Sequence, residues 1–265
     1  MSYPGSKGQA GTFQRIIGQM PPHEVYVEPF FGSGQIFWRK RRAAHSVIID
    51  KAPALLATAG AEAGVRAIAG DAQEAVPKLA LPPGAVVYCD PPYLLETRKG
   101  RVYYEHEMTA VDHRRLLAML QALPCRVLVS HYPCELYGAA LQGWRCLTYR
   151  TRTRGRTVLE SLWCNFPEPA ELHDWRYAGK TFRERLSLKR LAARWLARLE
   201  AMPARKRAFL MHAIAQRQDW RAELALSDPA LSDRALGTVA PDPALEACSA
   251  ENGYGGSRTG FSVPK

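Results

Sequence analysis

Five short apolar runs recur along the first 130 residues, separated by segments of helical character. They are Val25-Tyr26-Val27-Glu28-Pro29-Phe30, Ser46-Val47-Ile48-Ile49-Asp50, Val65-Arg66-Ala67-Ile68-Ala69, Val86-Val87-Tyr88-Cys89 and Arg126-Val127-Leu128-Val129-Ser130. Helical segments are expected over residues 35–42, 52–63 and 111–123, the last with Leu116, Leu117 and Leu120 on one face. Strands that alternate with helices need crossover connections, and these produce a doubly wound, mostly parallel α/β sheet. The chain has 265 residues, enough for one such domain and a small appendage, and its hydrophobic fraction of 47% supplies a core.

The pattern changes after Trp144. Residues 144–152 and 157–166 read as two strands joined by Thr153-Arg154-Gly155-Arg156, a terminal antiparallel hairpin. From Phe182 the chain turns helical. Leu188, Leu191, Trp195 and Leu199 form one stripe and Arg183, Arg190, Arg194 and Arg198 another, so the helix is amphipathic with a basic face. A second helix is expected over 204–226, carrying Arg205-Lys206-Arg207. The organisation read from this is a catalytic domain over 1–170, a basic helical extension over 171–226 and a disordered tail over 227–265.

The net charge of +11 is unevenly placed. Residues 145–220 hold 17 Lys/Arg against 7 Asp/Glu, whereas residues 1–144 hold 15 against 12 and residues 221–265 hold 4 against 6. A concentrated positive region suits a polyanion, most simply nucleic acid, or else serves solubility. The six cysteines contain no C-x-x-C pair, so reduced cysteines in a cytoplasmic protein without a metal site are expected. There is no run of 18 apolar residues, and with the first motif at Tyr3 neither a membrane span nor a signal peptide is expected.

Asp90-Pro91-Pro92-Tyr93 closes the fourth apolar run. Taken alone, the tetrapeptide is equally a strand-ending turn. Its composition also suits methyl transfer to an exocyclic amino group of a nucleobase. Such an amine is a poor nucleophile, because its lone pair is delocalised into the ring. The Asp90 carboxylate and the Pro91 carbonyl can accept its two hydrogens. Pro91 and Pro92 have no N–H and a fixed φ, which leaves their carbonyls free. Tyr93 offers a flat face for a flipped base.

Upstream, Gly32-Ser33-Gly34 follows a strand and opens a helix, where glycines let the backbone approach a ligand. Phe37 stands where a dinucleotide fingerprint has its third glycine. Asp50 ends the next strand, 16 residues after Gly34, and can accept ribose hydroxyls; Asp71, after the third strand, can accept an adenine amino group. Singly, each acid is an ordinary solvated loop residue; together they mark successive strand ends facing one nucleoside.

With Tyr3-Pro4-Gly5-Ser6-Lys7 and Val27-Glu28-Pro29-Phe30-Phe31-Gly32-Ser33-Gly34, the Asp90-Pro91-Pro92-Tyr93 motif resembles the S-adenosylmethionine-dependent DNA N6-adenine methyltransferases, the Dam-like family. The likeness spans residues 3–167 and continues through Thr97-Arg98, Tyr103, His106-Glu107-Met108, Ser130-His131-Tyr132 and Glu160-Ser161-Leu162-Trp163-Cys164-Asn165, which look like the compact phage and mobile-element versions. It implies a Rossmann-like methyltransferase sheet. It implies that Tyr3, Ser6 and Lys7 border the methionine end of S-adenosylmethionine, and that Glu28, Pro29, Phe30, Gly32, Ser33 and Gly34 wrap it. Asp50 and Asp71 would hold ribose and adenine, with Asp90 between cofactor and base. Larger relatives insert a recognition segment before the D-P-P-Y strand, but here only 18 residues separate Asp71 from Asp90.

The expected partner is duplex DNA with a flipped adenine. Arg98, Lys99 and Arg101, in the loop after Tyr93, are candidates for phosphate contact or a solvated surface. Arg152, Arg154 and Arg156 in the hairpin suit phosphates better than bases. Arg190 and Arg194 either track the backbone or form a solvated face. Cytosine N4 methylation, RNA as substrate and a catalytically silent DNA-binding relative are the competing readings.

Overall fold

The structure is a computed structural model and describes residues 7–98, 105–153 and 156–216. Seven strands form one sheet in the order β3-β2-β1-β4-β5-β7-β6. They are β1 (Val25–Glu28), β2 (His45–Asp50), β3 (Val65–Ala69), β4 (Val86–Cys89), β5 (Arg126–His131), β6 (Arg145–Thr153) and β7 (Arg156–Cys164). The first five run parallel, and β7 enters antiparallel between β5 and β6. This is the doubly wound, mostly parallel Rossmann-like sheet with a terminal antiparallel hairpin that the apolar runs predict.

The helices are α1 (Thr12–Ile17), α2 (Gln35–Arg39), α3 (Pro53–Gly60), α4 (Ala72–Ala75), α5 (Ala110–Gln121), α6 (Glu135–Ala140), α7 (Phe182–Glu200) and α8 (Ala204–Gln216). Alternate strand residues point to opposite faces, so the core divides in two. Val27, Ile49, Val87, Val127 and Val129 pack with Leu116, Leu117 and Leu120 of α5. Tyr26, Ile48, Val86, Tyr88 and Leu128 pack with Ile16, Phe37 and Leu56. All of β4 is buried, as expected of a central parallel strand covered on both faces.

The helices expected over 35–42 and 52–63 each stop three residues early. Beyond Arg39, Lys40 turns extended (φ −72°, ψ 158°), and the Arg41 N–H leaves the helix ladder for the Asp174 carboxylate at 2.9 Å. The third helix ends at Gly60, followed by Gly64 at φ +75°. The chain just beyond residue 170 packs closely as well. His173 donates its N–H to the Met20 carbonyl at 2.9 Å, and His173 and Asp174 are buried, so this segment is built into the sheet domain. The compact unit continues to Ala201, and a second begins at Met202.

In α7, Thr181 caps the N-terminus by accepting the Glu184 N–H, but only Arg185 is buried. The apolar stripe is open, with Trp195 at 53% exposure. The second unit contributes α8, whose expected continuation to residue 226 lies outside the described residues, as does the tail. Among the described residues no helix is long and apolar enough to cross a membrane.

Candidate active site

The strand order reverses between β1 and β4, and ligands of open α/β sheets bind at the carboxyl ends of the strands beside such a reversal. A cavity of about 380 Å³ lies there, lined by residues following β1, β2, β3 and β4. Its wall includes Lys7, Glu28, Pro29, Phe30, Gly32, Ser33, Asp50, Asp71, Asp90 and Pro92. Nine of the twelve residues assigned to the cofactor from sequence therefore converge on one cavity. Gly34 is off the wall, and Tyr3 and Ser6 fall outside the described residues.

Backbone geometry explains the two glycines. Gly32 has φ +50° and Gly34 φ +61°, a region that disfavours a side chain. A Cβ at Gly34 would sit 2.3 Å from Cζ of the Phe31 ring. The Gly32 N–H donates to Asp50 Oδ2 at 2.8 Å, tying the turn to the end of β2. Asp50 Oδ1 accepts the Ala52 N–H at 2.9 Å. Each oxygen keeps a lone pair for a further donor. Asp71 caps α4 by accepting the Gln73 N–H at 2.7 Å and pairs with Lys51 at 2.8 Å. Partial burial pushes its carboxyl up, but these two donors outweigh burial and hold it below the usual range.

Deeper in, Tyr26 and Glu28 share a hydrogen bond of 2.8 Å. Burial, with Asp90 adding repulsion, pushes the Glu28 carboxyl up to about 8 against the opposing Tyr26 hydrogen bond. Lys40, buried over the Tyr26 ring at 3.9 Å, is lowered by desolvation to about 7.

At the other end of the cavity, Lys7 Nζ lies 2.8 Å from Asp90 Oδ1, 3.0 Å from Glu160 Oε1 and 2.8 Å from the Tyr93 hydroxyl. Burial works against the Lys7 charge, but the two carboxylates raise its pKa above the ordinary value. Asp90 Oδ1 is fully buried, while the side chain retains 17% exposure, so the exposed part of the carboxylate lies away from Lys7. Burial lifts the Asp90 carboxyl to about 6; Lys7 opposes that rise and Glu160 adds to it.

Tyr93 is less open than a stacking platform requires, with 6% of its surface exposed. Its hydroxyl donates to Glu160, and its ring contacts His131 and Tyr132 with centroids at 4.6 Å. His131 Nε2 accepts the Leu94 N–H at 2.9 Å, which places the ring proton on Nδ1, 2.7 Å from the Tyr132 carbonyl. Burial holds His131 neutral, down to about 3. Neither Glu160 nor His131 was given a role from sequence. Glu160 could have been noticed as a charge inside the apolar strand run Val158–Cys164.

One expected DNA contact needs correction. Arg98 is buried, its guanidinium pairs with the Glu107 carboxylate, and its Nε donates to the Tyr93 carbonyl at 2.7 Å. Its charge is spent internally, so it braces the D-P-P-Y turn. Arg152, Arg156, Arg190 and Arg194 are exposed. Lys99, Arg101 and Arg154 lie outside the described residues. Pro91 is buried and off the cavity wall.

No protein-family model and no curated protein matches the chain. Among solved structures, precorrin 8w decarboxylase from Methanobacterium thermoautotrophicum aligns at 15% identity and a TM-score of 0.39, covering 62% of this chain and 94% of that one. An rRNA methylase from Streptococcus thermophilus aligns at 11% and 0.39, covering 57% and 91%. Magnesium protoporphyrin IX methyltransferase from Synechocystis PCC 6803, with bound SAM, aligns at 14% and 0.39, covering 58% and 75%.

Proposed function

We propose that this chain is an S-adenosylmethionine-dependent methyltransferase acting on the N6 amino group of adenine in DNA. The observation that carries the reading is the convergence of four strand ends on one cavity, with Asp90 of the D-P-P-Y turn on its wall. The donor set fits the cofactor. The Phe30–Gly34 turn provides a backbone cradle, Asp50 has acceptor capacity for a diol, and Asp71 has it for an amino group. Bound there, S-adenosylmethionine would supply a methyl carbon whose bond to the sulfonium breaks with its electron pair passing to sulfur.

Asp90 accepts an N–H of the target amine, drawing the nitrogen lone pair out of conjugation with the base. It then takes the proton the amine loses on methylation. A carboxylate raised to about 6 is suited to both, being ionised at neutral pH yet more basic than an exposed aspartate. Lys7 fixes the rotamer of Asp90. Most of the acceleration comes from orientation. Exposed Arg152 and Arg156, with Arg190 and Arg194, would meet the phosphates, supported by the charge of the region that contains them.

The test is transfer of labelled methyl from S-adenosylmethionine to unmethylated duplex DNA, with Asp90→Ala as control and nucleoside analysis of the product. N6-methyladenine made only by the wild type supports the reading. N4-methylcytosine replaces adenine with cytosine. Transfer to RNA alone, or no transfer to any nucleic acid, overturns it.

A further inference from the structure

Glu160 reaches the catalytic end of the cavity from β7, 70 positions beyond Asp90. It is 2% exposed. One ammonium, that of Lys7, answers both carboxylates, at 2.8 Å from Asp90 and 3.0 Å from Glu160. Glu160 also accepts the Tyr93 hydroxyl, so it grips the ring of the D-P-P-Y turn while competing for the lysine beside it. A buried carboxyl is harder to ionise beside a second carboxylate and easier beside a cation; at Asp90, Glu160 acts in the first sense and Lys7 in the second.

We propose that Glu160 is a positioning residue for the reaction at Asp90: by sharing Lys7 it keeps the Asp90 carboxylate basic, and by holding the Tyr93 hydroxyl it fixes the turn that carries Asp90. This rests on the methyltransferase reading for its purpose, though not for its physics. The other groups that act on or respond to Asp90 are Tyr26 and Glu28 on β1, Tyr88 and Cys89 on β4, Tyr93, Tyr137 on α6 and Tyr149 on β6. Burial holds the five phenols and the Cys89 thiol neutral across the working range. Glu28 is also largely protonated near neutrality, with its carboxyl pushed up to about 8. Among the described residues, Lys7 and Glu160 therefore act on the Asp90 carboxyl in opposite senses, the lysine lowering it and the glutamate raising it.

The test uses the full chain without cofactor or nucleic acid. The carboxyl carbon of Asp90, labelled with [13C]aspartate and assigned by its loss in Asp90→Asn, is titrated by NMR in the wild type and in Glu160→Gln. Glutamine keeps the volume and the acceptor for Tyr93 but removes the charge, so the variant should fold; circular dichroism confirms it. The wild-type midpoint is expected near 6. In Glu160→Gln it should fall by about one pH unit or more, because the competing negative charge beside Lys7 and Asp90 is then gone. A midpoint that stays or rises overturns the proposal.

If the wild type transfers methyl groups, the acid limb of its pH–rate profile should move down with the midpoint in Glu160→Gln, with KM for S-adenosylmethionine unchanged within about twofold. An effect on KM alone overturns the positioning role. If the wild type transfers no methyl group, the functional reading falls while the titration still decides the role of Glu160.

Discussion

Gly34 separates two costs that are usually mixed. Replacing it with alanine places a Cβ on a residue at φ +61°, which costs about 1–2 kcal/mol of backbone strain. The same Cβ would lie 2.3, 2.6 and 3.0 Å from three atoms of the Phe31 ring, so the ring must move. Phe31 is 4% exposed and packs edge-on against Phe37 at 5.6 Å, so there is little room to retreat. Overpacking of this kind adds about 1–3 kcal/mol. Gly143→Ala isolates the first term, since Gly143 has φ +86° and nothing within 4 Å of its Cβ position. By thermal unfolding, Gly34→Ala should melt below Gly143→Ala by roughly 4–8 °C, the shift for about 2 kcal/mol in a domain of this size. Phe31 also lines the cavity, and a ring displaced into it should weaken S-adenosylmethionine binding about tenfold, read by calorimetry. Equal melting temperatures for the two variants would refute the claim that a packed ring fixes this turn.

With Asp90 raised to about 6, methyl transfer should decline as pH falls through that value, because the acceptor for the amine is lost on protonation; activity sustained down to pH 4.5 would contradict this. Glu28 is raised to about 8 from 4.5, so the folded state holds a proton that the unfolded state releases, and stability should decline as pH rises across that window. Glu28→Gln should flatten the decline, as measured by urea unfolding at pH 5, 7 and 9. If the proposed function holds, Arg98→Lys should lower turnover but leave the salt dependence of DNA binding unchanged, since Arg98 pairs internally with Glu107. Under the proposed function, Arg156→Gln should instead reduce the slope of log K against log salt by about one contact's worth.

The strand ends were legible because an acid at the end of an apolar run carries its own signal. Asp50 and Asp90 sit where a buried strand meets the ligand side of the sheet, and strand order needs no foreknowledge for that inference. Glu160 and His131 are different. Their neighbours Lys7, Tyr93 and Leu94 lie 37 or more residues away, so the order of strands in the folded sheet, β4 beside β5 and β5 beside β7, is what brings them together. The end of α2 follows the same rule: Asp174 draws off the Arg41 N–H from 133 residues away. In α7, periodicity announced a stripe, but a stripe records the capacity to be covered, and Leu188, Leu191 and Trp195 remain exposed.

The hairpin joins the two halves of the proposed activity. β7 pairs with β5 only through Ser161–Cys164, so Arg156–Glu160 pair with β6 alone. Directly opposed residues share a face, and neighbours alternate. Tyr149 and Glu160 are opposed, and so are Thr151 and Val158. On that face Thr151 bonds Thr12, Arg15 lies over the Tyr149 ring, and Glu160 reaches Lys7. Arg150 and Arg152 are on the other face, exposed, beside Leu159 and Thr157. A register slip of one residue in β7 would turn Glu160 outward and put Leu159 or Ser161 in its place beside Lys7. The Tyr149–Glu160 face therefore fixes two things together: it delivers the second carboxylate to Asp90, and it obliges Arg150 and Arg152 to face away, whereas Arg156, opposed to Thr153 and exposed, falls on the Glu160 face nearer the turn.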